Sequence, residues 1–341
     1  MTVSYALKDY SRGRTTVMGI ATAMILWFHF EYPMAAGTAA EFIKLICDLG
    51  VDLFLLASGV GMYFALEKHR SYASFLGSRL RRIMPVYLLV SVPWFVYLQL
   101  HNGSRDWVAC LMNISTLSFW LKGDLTCWYV AGILALYLVT PWYAKLWKRW
   151  EMLNRSCILA MYVLLTAMLL EWVPNLFGHT FVLMGRVPIY LLGLSMGKAI
   201  REERTLQISI PGALVIMAAC VYVVASAFGR TGLSLNWNFK YLAYGPLAAL
   251  ASLALAKFPD CRPVRFLGQH SLEVYLVFEK VQAWLADQPW MFPVMERSQL
   301  VRPLLAVVVT LPVAWFLQIL CNGIFYGKLR MWVLDKSSAG K

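Results

Sequence analysis

The sequence predicts an all-α integral membrane protein, a single bundle of about ten transmembrane helices, and three observations predict it. Hydrophobic residues make up 60% of the 341 positions and the mean hydropathy is +0.60, well above a soluble domain, where about half of the residues are apolar. These residues gather into runs near the ~20 needed to cross the hydrocarbon layer as a helix. The basic residues then fall unevenly on alternate sides of the runs. Of 31 Lys and Arg, 22 lie at the N-terminus, in the even-numbered connections and at the C-terminus, against 8 on the other side, with Lys280 inside a run. That is the positive-inside pattern for both termini in the cytoplasm. The net charge of +13 is therefore topogenic first, and a nucleic-acid partner is not expected.

The ten spans are placed at 16–36, 40–66, 83–100, 128–147, 156–173, 183–200, 208–228, 239–257, 266–286 and 303–326. Residues 1–330 are read as one transmembrane domain and 331–341 as a short cytoplasmic tail. Lys8, Arg12 and Arg14 precede a first run too long for a signal-peptide core, with no small-residue cleavage site after it, so a retained start-anchor is expected. The seven Cys are scattered without a C-x-x-C pair, which fits small core residues rather than disulfides or metal ligands. No metal spacing, phosphate loop, Gly-x-Ser-x-Gly elbow or internal repeat is visible.

Ionisable residues inside such runs are costly and are functional candidates by default. In the first span His29 stands thirteen residues beyond Thr16, ~20 Å along a helix that crosses ~30 Å, hence in the outer half. Glu31 is two residues on and points to another face. In the second span Asp48 and Asp52 are one turn apart on one face, at a depth near that of His29. A carboxylate facing an imidazole fixes its tautomer and stabilises the imidazolium; the plain alternatives are a neutral His hydrogen-bonded between helices and an Asp that ties two helices together. Gly59 and Gly61 read as close-packing positions.

Between the second and third spans stand Lys68, Arg70, Arg79, Arg81 and Arg82, and Pro85 fits the first turn of a new helix. Arg79 and Arg82, three apart, share a face and are able to grip phosphate, helped by a helix N-terminus; the alternative is ordinary inside-facing anchoring. Residues 101–127 form the longest outer connection, with Trp107 to Leu121 expected to lie in the interface. The fourth span opens with Trp128-Tyr129. Arg186 at the outer end of the sixth is placed to hold an acceptor or a catalytic carboxylate, or else to snorkel to headgroups. Lys240 and Asn238 sit near another outer end. In the ninth span Glu279 comes ~18 Å along from Leu267, nearly level with His29.

Val51-Asp52-Leu53-Phe54 to Ser58-Gly59, followed by Arg79 and Arg82-Ile83-x-Pro85-x-Tyr87, resembles the second- and third-helix signature of the acyltransferase-3 family, bacterial integral membrane O-acyltransferases that move acyl groups, usually acetyl, onto sugars of exported glycans. Gly19-Ile20-Ala21 through His29, Arg186-Val-Pro188 to Gly193, and Leu267-Gly268 to Ser271 and Tyr275-Leu276 are similar to further segments of the family. The resemblance implies an acyl-CoA (acetyl-CoA) donor held by Arg14, Arg79, Arg82 and Tyr87, and a glycan or glycolipid acceptor near Arg186 and Trp128. It implies His29 as general base, oriented by Asp52 with Asp48 as stand-in, Glu279 beside them, and no metal. The implied location is the bacterial inner membrane. Two positions depart from the family pattern. Met18 stands where the family usually has Arg, with Arg14 one turn earlier, and Phe278 stands where a His is usual, with Glu279 beside it. A proton-coupled transporter of a sugar or lipid, using His29, Asp48, Asp52 and Glu279 as a relay, is the rival reading. A sensor or assembly subunit without the chemistry is a third.

Overall fold

The computed structural model describes all residues except 33, 36, 70, 150–151, 170–177 and 324–341. Arg70, Lys328, Arg330 and the expected tail therefore lie outside the described residues. The chain is almost wholly helical: α1 Leu7–Phe28, α2 Ala39–Ile46, α3 Gly50–Lys68, α4 Tyr72–His101, α5 Trp107–Ile114, α6 Leu117–Lys122, α7 Trp128–Arg149 and α8 Leu153–Leu169 come first. There follow α9 Phe181–Met184, α10 Val187–Arg201, α11 Ile210–Ala227, α12 Lys240–Leu255, α13 Arg262–Gln269, α14 Ser271–Ala286, α15 Phe292–Arg297 and α16 Val301–Cys321. A 3₁₀ turn, Cys47–Leu49, joins α2 to α3. Helices dominate because backbone groups in hydrocarbon must find their partners within the segment.

Among the described residues, most of each apolar run falls on helix, the first only as far as Phe28 and the seventh from Ile210. Six stretches among the described residues are long and apolar enough to cross a membrane: Ala39–Lys68, Tyr72–His101, Trp128–Lys148, Gly178–Arg201, Ile210–Ala227 and Val301–Cys321. The other four runs lie on α1, whose first half carries Lys8, Asp9, Arg12 and Arg14, and on the shorter α8, α12 and α13–α14. Large side chains such as Leu159, Val163, Val215, Val308 and Phe316 are exposed on their helices, as surfaces that face lipid would be.

The caps follow ordinary side-chain chemistry. Thr38 accepts from the Glu41 amide at α2, Asp106 from Ala109 at 2.9 Å at α5, and Ser209 from Gly212 at α11, each satisfying an otherwise orphaned donor. Pro85 does not open a helix as expected. α4 starts at Tyr72 and runs to His101 with Pro85 and Pro93 inside it, because staying helical leaves fewer backbone groups unmet than a break within an apolar run. Arg79, Arg81 and Arg82 consequently sit on the body of α4, beyond the reach of its N-terminal dipole.

The described residues form two compact units. The first comprises Met1–Phe28, Met34–Phe75 and Thr116–Gln269; the second comprises the described part of His29–Pro33, Leu76–Ser115 and His270–Lys341. In the first unit α3 and α10 meet backbone to backbone. A Cβ on Gly59 would strike the Tyr190 carbonyl and one on Gly193 the Leu56 carbonyl, so the close-packing role expected of Gly59 is met. Gly61 instead leaves room for the Arg14 guanidinium, whose Nη2 lies 3.2 Å from where a Cβ would stand. A two-stranded sheet unmarked by any periodic run also belongs here: β1 Thr2–Ala6 pairs antiparallel with β2 Thr205–Ser209, Ser4 opposite Gln207. Tyr5 is buried there, its ring under the Lys257 ammonium at 4.6 Å. In the second unit α14 packs against α16, with Val274, Leu276, Val277 and Phe278 buried on the α14 side.

Candidate active site

In the second unit, α1 has ended at Phe28, so His29 stands on the turn just beyond the helix rather than within a span. Its position is fixed twice from α14. Gln282 donates from Nε2 to the His29 carbonyl at 2.8 Å, and its Oε1 accepts from the Glu31 amide at 3.3 Å. Gln282 is fully buried. One helical turn before it on the same face, Glu279 places Oε1 2.5 Å from His29 Nδ1. The ring therefore presents Nδ1–H to a carboxylate, which leaves the lone pair on Nε2. The two side chains keep 32% and 39% of their surface exposed, enough for a substrate group to approach. Glu31 is ion-paired with Arg302 of α16, which holds the chain after His29 from the other side. Phe278, at the departure from the family pattern, is buried in the core; the neighbouring Glu279 meets the imidazole.

The second cluster is in the first unit and consists of charged groups nearly out of water. Arg186 is 0% exposed, Asp52 1%, Lys240 3% and Asp48 7%. Arg186 caps the start of α10. It donates from Nη2 to Asp48 Oδ1 at 2.6 Å, from Nε to Asp52 Oδ2 at 3.1 Å and from Nη1 to the Val182 carbonyl at 3.0 Å. Lys240, the first residue of α12, puts Nζ 2.8 Å from Asp48 Oδ2. Two carboxylates thus face two cations. The Arg186 guanidinium also lies over the Tyr241 ring at 4.8 Å and the Trp128 ring at 5.3 Å, and Lys240 over Trp237 at 4.1 Å, where ring quadrupoles favour a cation. Asp52 Oδ1 is buried without a hydrogen-bond partner among the described residues. Asp48 and Asp52 do share a face, as the spacing implies, and the group they share is Arg186.

The remaining candidates are placed as follows. Arg79 is half-buried, with Nε donating to Ser78 Oγ at 3.3 Å, while Arg82 is exposed. Arg81 folds back onto its own helix, Nε to the Gly77 carbonyl at 3.0 Å. Tyr87 is 0% exposed, and its hydroxyl donates to the Asn113 carbonyl at 3.2 Å, tying α4 to the end of α5. Arg14 is half-buried over Gly61, whereas Arg12 is exposed, 3.9 Å from Asp9. Among the described residues no group of three or more His, Cys, Asp and Glu is placed to hold a metal. Sequence reasoning missed the roles of Gln282, Arg302 and Lys240. The signal for Gln282 was its spacing of three from Glu279, and for Lys240 its place at the outer end of an apolar run.

Helices long and apolar enough to cross a membrane, a carboxylate–imidazole pair at His29 and Glu279, and a buried network of four charges define a polytopic membrane protein with groups able to move a proton. A family model described as an acyltransferase domain, acyltransferase-3, matches residues 18–319. The chain belongs to that family, and the protein is a membrane acyltransferase. Neither curated proteins nor solved structures gave a match.

Proposed function

We propose that this acyltransferase moves an acyl group, acetyl in the first instance, from acyl-CoA on the cytoplasmic side to a hydroxyl of an exported or lipid-linked glycan, with His29 as general base. The observation that carries the reading is the His29–Glu279 pair at 2.5 Å, with Gln282 locking the chain that bears it. Nε2 takes the proton of the acceptor hydroxyl as its oxygen attacks the thioester carbon. The new C–O bond forms, the C–S bond breaks, and the proton passes from the imidazolium to the departing CoA thiolate. Glu279 holds the productive tautomer and stabilises the imidazolium, so in this role it takes the place given to Asp52 or Asp48 by the family pattern. A thioester is already activated, and the scheme needs no metal.

In this reading Arg79 and Arg82 grip the donor phosphates, Tyr87 ties the α4 that carries them to the end of α5, and Arg14 serves where the family has Arg at position 18. Arg186 acts through the aspartates it holds and through the Trp128 face. Ten spans with both termini in the cytoplasm of a bacterial inner membrane complete the picture, supported by the 22 to 8 division of basic residues.

Thiol release from acetyl-CoA by purified protein, with and without acceptor glycan, tests the proposal. His29→Ala lowers the rate by ~10²–10⁴-fold, the usual contribution of a general acid–base. Glu279→Gln lowers it too, and the double variant is hardly worse than His29→Ala because the two act as a unit. Activity of His29→Ala within twofold of wild type removes His29 from the mechanism.

A further inference from the structure

A cavity of about 220 Å³ opens at the ends of α7, α8 and α10 in the first unit, away from both clusters above. Its lining is polar and positive: Arg155, Lys198 and Arg204 against the single carboxylate of Glu202, with Trp147 on one wall and Asn154 on its floor. Glu202 accepts from Arg204 at 2.6 Å and lies 3.9 Å from Lys198, so it organises two of the cations while neutralising one charge. Lys198 also lies 5.8 Å from the Trp147 ring. Asn154 is 1% exposed and is spent on the scaffold, donating to the Leu191 carbonyl at 3.0 Å and to Ser195 and accepting from Tyr143. The floor is therefore rigid, and the cations form a rim.

One apolar stripe runs to this cavity. The exposed Met152 lines it just ahead of α8, and the exposed Leu159 and Val163 follow along α8, four residues apart on one face. Neither charge nor lipid-facing stripe alone would mark a site, but here a basic rim and an apolar stripe meet at Met152. We infer that the cavity holds the phosphate-bearing headgroup of an anionic phospholipid, whose acyl chains lie along the Met152 to Val163 stripe. The volume agrees with that class. At ~30 Å³ per water it holds about seven waters, room for a phosphate and a glycerol-sized group. It falls below the ~300–1,000 Å³ of pockets that enclose larger ligands. Basic pockets between transmembrane helices recognise anionic headgroups by this combination of charge and apolar wall.

The test uses purified full-length protein in neutral detergent, titrated with phosphatidylglycerol and with phosphatidylcholine of the same chains, bound lipid being counted by native mass spectrometry. Phosphatidylglycerol binds at least tenfold more tightly than phosphatidylcholine. Arg155→Gln and Lys198→Gln each weaken it about fivefold, and the pair together more, while Arg12→Gln, an exposed cation elsewhere, stays within twofold. Equal affinity for the two lipids, or no loss in the double variant, overturns the inference. Displacement of phosphatidylglycerol by an equal concentration of inorganic phosphate means that the cavity takes phosphate alone, and it overturns the lipid assignment.

Discussion

Arg186 offers the sharpest test of what the buried charge network does. It supplies the one hydrogen bond made to Asp52 among the described residues and one of the two ion pairs made to Asp48. Replacing it with Met keeps much of the volume but strands Asp52, 1% exposed, without a cation, and stranding one partner of a buried pair costs about 3–5 kcal/mol. Asp48 is spared the worst because Lys240 remains. In a thermal-unfolding assay in detergent, Arg186→Met should lower the midpoint by roughly 5–10 °C, given ~2 °C or somewhat less per kcal/mol for a chain of this size. Asp52→Asn alone should cost less, since Arg186 keeps Asp48 and the Val182 carbonyl. Arg186→Met combined with Asp52→Asn should then recover a good part of the single-variant loss, because the stranded charge has gone. Additive losses in the double variant, or an Arg186→Met midpoint within 1–2 °C of wild type on the same scale, would refute the view that this network is held together by mutual compensation of charge.

Two further outcomes are expected. Arg79→Ala or Arg82→Ala should weaken acetyl-CoA binding, each charge-assisted contact being worth ~1.5–3 kcal/mol, and unchanged affinity in both by calorimetric titration reduces the cluster to a topology signal. Arg14→Ala should impair acyl transfer severely, with much of the loss recovered when Met18→Arg is added, while Arg12→Ala, already exposed and paired with Asp9, stays nearly silent; matching effects of the two single variants would make Arg14 an anchor like Arg12.

The membrane class was legible because hydropathy and loop charge are sums over many residues, and a sum tolerates local error. Helix ends were less so. The first span was drawn through His29 to residue 36, whereas α1 stops at Phe28, and Pro85 was taken as a start although α4 continues through it. Both errors come from reading a local signal, an apolar residue or a proline, where the surrounding medium decides whether the helix continues. The β1–β2 pairing left no trace in the pattern because Thr2–Ala6 and Thr205–Ser209 meet across two hundred residues and are too short to show alternation.

The family pattern set Asp48 and Asp52 to orient His29, whereas the structure pairs them with Arg186 and Lys240, and a count of charges explains why. Asp48 and Asp52, one turn apart, point at one partner site. A single imidazole there would leave two buried carboxylates facing at most one positive charge, an arrangement that low dielectric penalises heavily. The sequence also places Arg186 and Lys240 at the outer ends of their runs. A guanidinium is able to bridge two carboxylates through its fork of donors, and an ammonium then satisfies the oxygen that remains. The structure has that arrangement: Arg186 to both acids and Lys240 to Asp48. Once the aspartates are matched in this way, Glu279 is the carboxylate left at the depth of His29, and it lies where the family pattern lapses, beside Phe278. Where the family pattern has His, this chain has the buried Phe278, and its neighbour Glu279 on α14 meets the His29 ring, with Gln282 a turn further on bonded to the His29 carbonyl.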